Sequence, residues 1–255
     1  MNRVLQYSAV AFMMVITTSC DEPLKNDSPD NQTSTSEQGE ADVADMFSAS
    51  RAKMVELQLA NRDIRSKRVL NVMGRVPRHR FVPSDLQGMA YRDSPLPIGK
   101  GQTISQPYIV ALMTQLVEPK PDHKALDVGT GSGYQAAVLA ELVGRVFSIE
   151  IVESLATDAD NRLGSLGYEN ITVRHGDGYA GWQSEAPFDV IIVAAAPDHI
   201  PPALVEQLAP GGKMVIPVGD RLQTLMLIEK LDDGKVVKRN VAPVAFVPMT
   251  GQAEE

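Results

Sequence analysis

The chain has 255 residues, 44% of them hydrophobic, a formal charge of −8 and a single cysteine. This length and apolar content support one sizeable core, or a core with a small appendage, and one cysteine excludes an intrachain disulfide. The acidity is local: residues 21–45 carry eight acidic side chains against Lys25, while residues 46–255 hold 22 bases and 24 acids, a net of −2, so the basic footprint of a nucleic-acid binder is missing.

Residues 1–20 read as a separate signal. Arg3 precedes an apolar stretch, Ala9 to Ile16, that closes on Thr17-Thr18-Ser19-Cys20. The stretch is too short to span a bilayer, which takes roughly 20 apolar residues. With the only cysteine at its end it resembles a bacterial lipoprotein signal, in which Cys20 would be lipidated, although Thr17 stands where that signal usually carries an aliphatic residue. An extension without consequence, or a misassigned start, is the alternative. Residues 21–45 are polar and acidic, with almost nothing to bury, and are expected to form a disordered linker. A single catalytic domain is then expected over residues 46–255.

From Met46 the apolar spacing predicts two helices broken near Asn61-Arg62-Asp63, then a proline-punctuated connector, Val76 to Pro83. Tyr91 to Thr103, with Pro95, Pro97, Gly99 and Gly101, reads as loop. Pro107 opens a helix running to about Glu118. Apolar runs at Ala125–Val128, Val146–Ile149, Ile171–Val173, Val190–Ala194 and Met214–Val218 then read as strands. Between several of them lie helical patterns at Tyr134–Leu142, Glu153–Leu166 and Pro202–Leu208. This alternation predicts an α/β fold, a doubly wound, mostly parallel sheet covered on both faces. Leu222–Leu231 and Val236–Val247, split at Asp232-Asp233-Gly234, predict a closing antiparallel hairpin.

The chemistry gathers at the carboxyl ends of these strands. Gly129, Gly131 and Gly133 follow the first strand, and an acid, Glu150, ends the next. Glycines let the chain turn sharply and bring a ligand against main-chain N–H groups, and an acid so placed accepts from ribose hydroxyls. The dinucleotide fingerprint would need glycine or alanine where this chain has Tyr134. With Asp127 ahead of the loop, the pattern is more usual for S-adenosylmethionine. A tight turn without ligand is the alternative. Asp177, in Gly176-Asp177-Gly178 after the third strand, either accepts from an adenine amine or makes an Asp-Gly turn. Ser105, before the Pro107 helix, is either a helix cap or part of a carboxylate site at the helix N-terminus. His79, His123, His175 and His199 are scattered and form no nucleophile or metal constellation.

Residues 51–251 resemble the protein-L-isoaspartate O-methyltransferases. The resemblance is carried by Val76-Pro-Arg-His-Arg-Phe-Val-Pro83, Tyr91-Arg-Asp-Ser-Pro-Leu-Pro-Ile-Gly99, Gly101-Gln-Thr-Ile-Ser-Gln-Pro-Tyr108, Gly129-Thr-Gly-Ser-Gly-Tyr-Gln-Ala136, Ala186-Pro-Phe-Asp189 and Gly211-Gly212. It implies a Rossmann-like methyltransferase fold and transfer of the methyl of S-adenosylmethionine to the free α-carboxyl of L-isoaspartyl residues in damaged proteins and peptides. It also implies site residues: Ser105 at the active site, with Thr103–Ser105 as the loop over the transfer point. Gln102, Thr103, Ile104, Asp127, Gly129, Thr130, Gly131, Gly133, Tyr134, Glu150, Asp177, Gly178 and Thr250 would contact the cofactor, and no metal is called for. Family members are usually cytosolic and lack residues 1–45, so the resemblance and the N-terminal signal point to different locations. The expected protein is a monomer that meets a membrane only through Cys20. A small-molecule methyltransferase of the same fold, or an inert ligand-binding lipoprotein, are the competing readings.

Overall fold

The computed structural model describes residues 47–252; the signal and linker expected over residues 1–45 lie outside them. A helix over 47–53 continues as a wider π-helical stretch, Met54–Ala60 (together α1), and ends where Asn61 donates to the Glu56 carbonyl. After the expected break, α2 spans Lys67–Met73. The Val76–Pro83 connector holds a 3-10 turn, Arg78–Phe81, and a second follows at Ser84–Met89.

Tyr91–Thr103 is not all loop. Leu96–Gly99 (β1) and Gln102–Ile104 (β2) pair antiparallel, joined by Gly99, Lys100 and Gly101 with φ of 91°, 54° and 72°. Prolines and glycines speak against a strand inside a large sheet. In a two-stranded hairpin the Pro97 nitrogen needs no partner, and the glycines make the turn. Pro107–Leu116 (α3) begins on its proline, as expected.

A seven-stranded sheet of order β5-β4-β3-β6-β7-β8-β9 forms the centre. Lys124–Val128 (β3), Arg145–Glu150 (β4), Ile171–His175 (β5), Phe188–Val193 (β6) and Leu208–Val218 (β7) run parallel. Tyr134–Ala140 (α4), Glu153–Ser165 (α5) and the short Pro202–Glu206 (α6) alternate with them. Gln223–Lys230 (β8) and Val236–Val244 (β9) complete the sheet antiparallel, as the pattern predicts. β7 begins six residues before the predicted Met214, across the register shift between Phe188 and Val190, and α6 is correspondingly shorter.

Both faces are buried with the period of two that strands impose. Ala125, Val190, Ile192 and Val215 face the core under α1–α5, whereas Leu126, Val128, Ile191, Val193, Met214 and Ile216 face Trp182 and Leu204 of α6. The sheet order reverses between β3, which leads on to β4, and β6, which leads on to β7. A crevice opens at the carboxyl end of such a switch, and the glycine loop leaves β3 there.

Candidate functional site

A cleft of about 860 Å³, counted to its open mouth, occupies this crevice. Its floor is the glycine loop. Gly129, Gly131 and Gly133 take φ of 90°, 52° and 88°, a region closed to most side chains. A Cβ on Gly131 would also lie 3.2 Å from Ile98 Cδ1 of β1, so the bare glycine lets the hairpin approach the loop closely. Gly129 and Thr130 donate their N–H groups to the Ile149 carbonyl at 2.8 and 3.1 Å, tying the loop to β4.

Glu150, at the end of β4, accepts from Gly131 N at 2.7 Å through Oε2 and from Val152 N at 2.9 Å through Oε1. It is buried yet lines the cleft, and each oxygen keeps acceptor capacity for a ligand. Beneath the loop Asp127 Oδ2 accepts from Ser148 Oγ at 2.8 Å, and Ser148 Oγ lies 2.6 Å from Thr130 Oγ1. Asp127 Oδ1 is buried without a partner among the described residues. Burial, helped by the Glu150 charge and opposed by the Ser148 hydrogen bond, pushes the Asp127 carboxyl up to about 7.

One wall is the β1–β2 hairpin and the turn after it: Gln102, Thr103, Ile104 and Ser105 all line the cleft. Ser105 is half-buried and is not the cap of α3, a position held by Gln106 with no side-chain hydrogen bond. Ser105 Oγ has no hydrogen-bond partner among the described residues. The helix N-terminus is less open than the sequence suggests. Pro107 brings no N–H, and Tyr108 N donates to Asp93 Oδ1 at 3.0 Å, while Asp93 Oδ2 pairs with Arg62 at 2.8 Å. The opposite wall is Ala194 and Ala195 after β6, with Val247, Pro248, Met249 and Thr250 near the C-terminus.

Of the residues singled out from sequence, Gln102, Thr103, Ile104, Ser105, Gly129, Thr130, Gly131, Tyr134, Glu150, Gly178 and Thr250 line the cleft; Asp127, Gly133 and Asp177 do not. Asp127 lies under the floor. Gly133 sets the left-handed start of α4 against Leu163, where a Cβ would come within 3.2 Å. Asp177 spends both oxygens on main-chain donors, Tyr179 N at 2.9 Å and Gln252 N at 2.6 Å. Tyr134 is wholly buried, its hydroxyl pushed up to about 12 by desolvation. The guanidinium carbon of Arg78, itself fully buried, stands 4.8 Å from the Tyr134 ring centroid. Val110, Met113 and Gln135 also line the cleft and were not anticipated: Val110 and Met113 read as ordinary core-facing positions of α3, and Gln135 is a lone polar residue in the first turn of α4. None of the four histidines lines it. His79 Nδ1 sits 2.8 Å from Tyr91 Oη and its ring stacks on Phe47, His175 Nε2 meets the Ile151 carbonyl and His199 pairs with Asp198.

Glu150 is the sole charged side chain among the described residues that line the cleft. With an ionisable carboxyl below the floor and no lysine or arginine in the wall, the cleft favours a ligand that carries positive charge over a pyrophosphate. S-adenosylmethionine, with its sulfonium and ammonium, fits that requirement.

The protein-L-isoaspartate(D-aspartate) O-methyltransferase family model matches residues 49–254. The chain belongs to this family. It is 61% identical over 188 residues to protein-L-isoaspartate O-methyltransferase 2 of Polaromonas sp. (strain JS666 / ATCC BAA-500), covering 73% of this chain and 89% of the relative. It is 52% identical over 212 residues to the protein-L-isoaspartate O-methyltransferase of Methanopyrus kandleri, covering 81% and 94%. Among solved structures it resembles a beta-aspartate methyltransferase from Plasmodium falciparum in complex with S-adenosyl-L-homocysteine, at 28% identity and a TM-score of 0.67, over 78% of this chain and 98% of that one. The chain is an S-adenosylmethionine-dependent protein carboxyl methyltransferase acting on L-isoaspartyl residues. Its fold is the doubly wound, mostly parallel sheet expected from the strand–helix alternation, of the methyltransferase type that the resemblance implies.

Proposed function

We propose that the floor of the cleft holds the methyl donor and the hairpin wall holds the acceptor. S-adenosylmethionine, when bound, supplies an electrophilic methyl on a sulfonium sulfur. The Gly129–Gly133 loop, with Asp127 beneath it, would take the methionine end, Glu150 the ribose hydroxyls, and Gly178 with Thr250 the adenine side, with Asp177 behind them. The observation that carries this reading is the charge layout: a carboxylate floor suited to a cation faces a wall of neutral hydroxyls at Thr103 and Ser105.

The acceptor carboxylate has a reference pKa near 4 and is ionised at neutral pH. Its oxygen forms the new bond to carbon as the carbon–sulfur pair withdraws to sulfur, and no proton is transferred. The site therefore needs no general base, and the absence of histidine from the described cleft lining is compatible with that chemistry. What the protein contributes is alignment and exclusion of water. Ser105, its hydroxyl without a partner among the described residues, donates to the carboxylate and fixes its attack line. The resulting α-methyl ester closes to a succinimide, which opens the way back to aspartate.

Ser105→Ala tests this division. Turnover should fall about 10–100-fold, the worth of one hydrogen bond to a charged group, while affinity for S-adenosylhomocysteine stays within twofold. Equal loss of both would place Ser105 on the donor side.

Isoaspartyl proteins and peptides are the expected partners of an enzyme that acts as a monomer. We propose further that residues 1–20 direct export, that Cys20 is lipidated and that residues 21–45 tether the enzyme. No helix among the described residues is long and apolar enough to cross a membrane. Labelling cells with a fatty acid tests the anchor: label on the wild-type chain and none on Cys20→Ser is expected, and an unlabelled wild type overturns it.

A further inference from the structure

The C-terminal wall is pinned at two points. Upstream, Ala196 N donates to the Val247 carbonyl and Met249 N donates to the Ala196 carbonyl, both at 2.8 Å, a short parallel bridge just beyond β6. Downstream, Gln252 N donates to Asp177 Oδ2 at 2.6 Å. Between these pins Pro248, Met249 and Thr250 face the cleft.

Two glycines far apart in sequence are shaped to this seat. Gly251 has φ of 138°, and a Cβ there would fall 2.3 Å from Asp177 Oδ1, so main chain lies against the carboxylate where no side chain could. A Cβ on Gly178 would lie 2.8 Å from Met249 Cε, so Met249 rests on the bare backbone of the turn that Asp177 opens. Asp177 Oδ1 meanwhile caps that turn through Tyr179 N. One carboxylate thus ties the turn after β5 to the end of the chain.

We infer that Val247–Gln252 is a strap across the adenine side of the cleft and that Asp177 is its latch, a positioning residue that governs how long the donor or its product stays bound. The inference rests on the donor reading above. The sole described closure beyond the upstream bridge is one hydrogen bond to a charged acceptor. Its loss should therefore speed release about 10–100-fold. An exchange-controlling strap suits an enzyme whose spent product occupies the same cleft as fresh donor.

The test uses the full chain and measures dissociation of S-adenosylhomocysteine and of its inosine analogue, in which a carbonyl replaces the adenine amine. Gly251→Val breaks the latch from the strap side with the Asp177 carboxylate retained; Asp177→Ala breaks it from the other. Both should accelerate release of S-adenosylhomocysteine at least tenfold, and Asp177→Ala should accelerate release of the inosine analogue by a similar factor. Hydrogen exchange at the Gln252 amide should quicken in both variants even if thermal stability changes little. Unchanged release in Gly251→Val, or an Asp177→Ala effect that vanishes with the inosine analogue, would overturn the latch and leave a direct contact to the amine. A wild-type protein that binds S-adenosylhomocysteine not at all overturns the donor reading itself, and the latch with it.

Discussion

The floor and the walls of the cleft are built on different principles. The floor comes from neighbouring strands and the loops that leave them: Asp127, Gly129–Gly133 and Ser148–Glu150 are locked by mutual main-chain and side-chain hydrogen bonds, and Asp127, Ser148 and Glu150 are buried. The walls come from a two-stranded hairpin ahead of the sheet and a segment after its last strand. Ser105 and Thr250 there are half-buried or more exposed. A floor of this kind is pre-organised and can fix a ligand's position. Walls tied down at few points can admit a protein substrate and release a product. On the proposed reading, binding the donor and exchanging it fall to separate parts of one cleft.

The sharpest break between the two is expected at Glu150. Glu150→Ala removes the acceptor for Gly131 N and Val152 N as well as the one proposed for the ribose, so S-adenosylhomocysteine affinity should drop about a hundredfold or more, at roughly 1.5–3 kcal/mol for each hydrogen bond to a charged group. Calorimetric titration checks this, and a loss under threefold would move the ribose elsewhere.

Asp127 gives the next effect, and it depends on pH. Its native pKa of about 7 stands above the reference 3.8, through burial first and the Glu150 charge second. The contribution to stability is therefore full below about pH 4 and is lost as pH rises through 7. Asp127→Asn should stabilise the ligand-free protein at pH 8 by up to a few kcal/mol, on the order set by the linkage relation, with the gain fading toward pH 5. A cationic ligand should reverse the preference by favouring the ionised carboxylate, so donor binding releases protons near neutral pH. Thermal melts across pH, and titrations in buffers of different ionisation enthalpy, read the two effects. A gain that grows on acidification contradicts the assignment.

On the wall, Asp93→Ala frees Tyr108 N at the start of α3 and unpairs Arg62. Loss of such a cap costs about 1 kcal/mol, so turnover should fall several-fold as the Ser105 turn loosens, with product affinity unchanged. Steady-state kinetics beside titration will show it, and a change in product affinity alone would count against a separate wall. The smallest effect belongs to the hairpin tip. Lys100 sits at φ of 54° between two glycines; Lys100→Gly should raise stability by about 0.5 kcal/mol through relief of the left-handed strain, measurable as a slightly higher melting temperature.

The same floor-and-wall contrast explains what the sequence disclosed. Strand–helix alternation and the glycine loop are local patterns with local causes, so β3, the loop and Glu150 were legible down to single residues. The hairpin was hidden because Pro95, Pro97, Gly99 and Gly101 signal irregular chain, whereas Leu96–Gly99 and Gln102–Ile104 pair antiparallel across the turn those glycines make. The reach of Gln252 N to Asp177 is a tertiary contact between distant segments. Sequence spacing carries no trace of such a contact, and an Asp-Gly pair reads equally as a turn or a ligand contact. Ser148 likewise looks like any strand residue until Asp127 and Thr130 are seen on either side of it.

The central claim is that the wall presents an isoaspartyl α-carboxylate to a donor held on the floor. Incubating the purified full chain and labelled S-adenosylmethionine with a peptide containing L-isoaspartate, and with its twin containing ordinary L-aspartate, tests this most directly. Base-labile methyl ester should form on the isoaspartyl peptide and stay at background on the aspartyl twin. Equal labelling of both peptides, or of neither while the protein binds the donor, would contradict it.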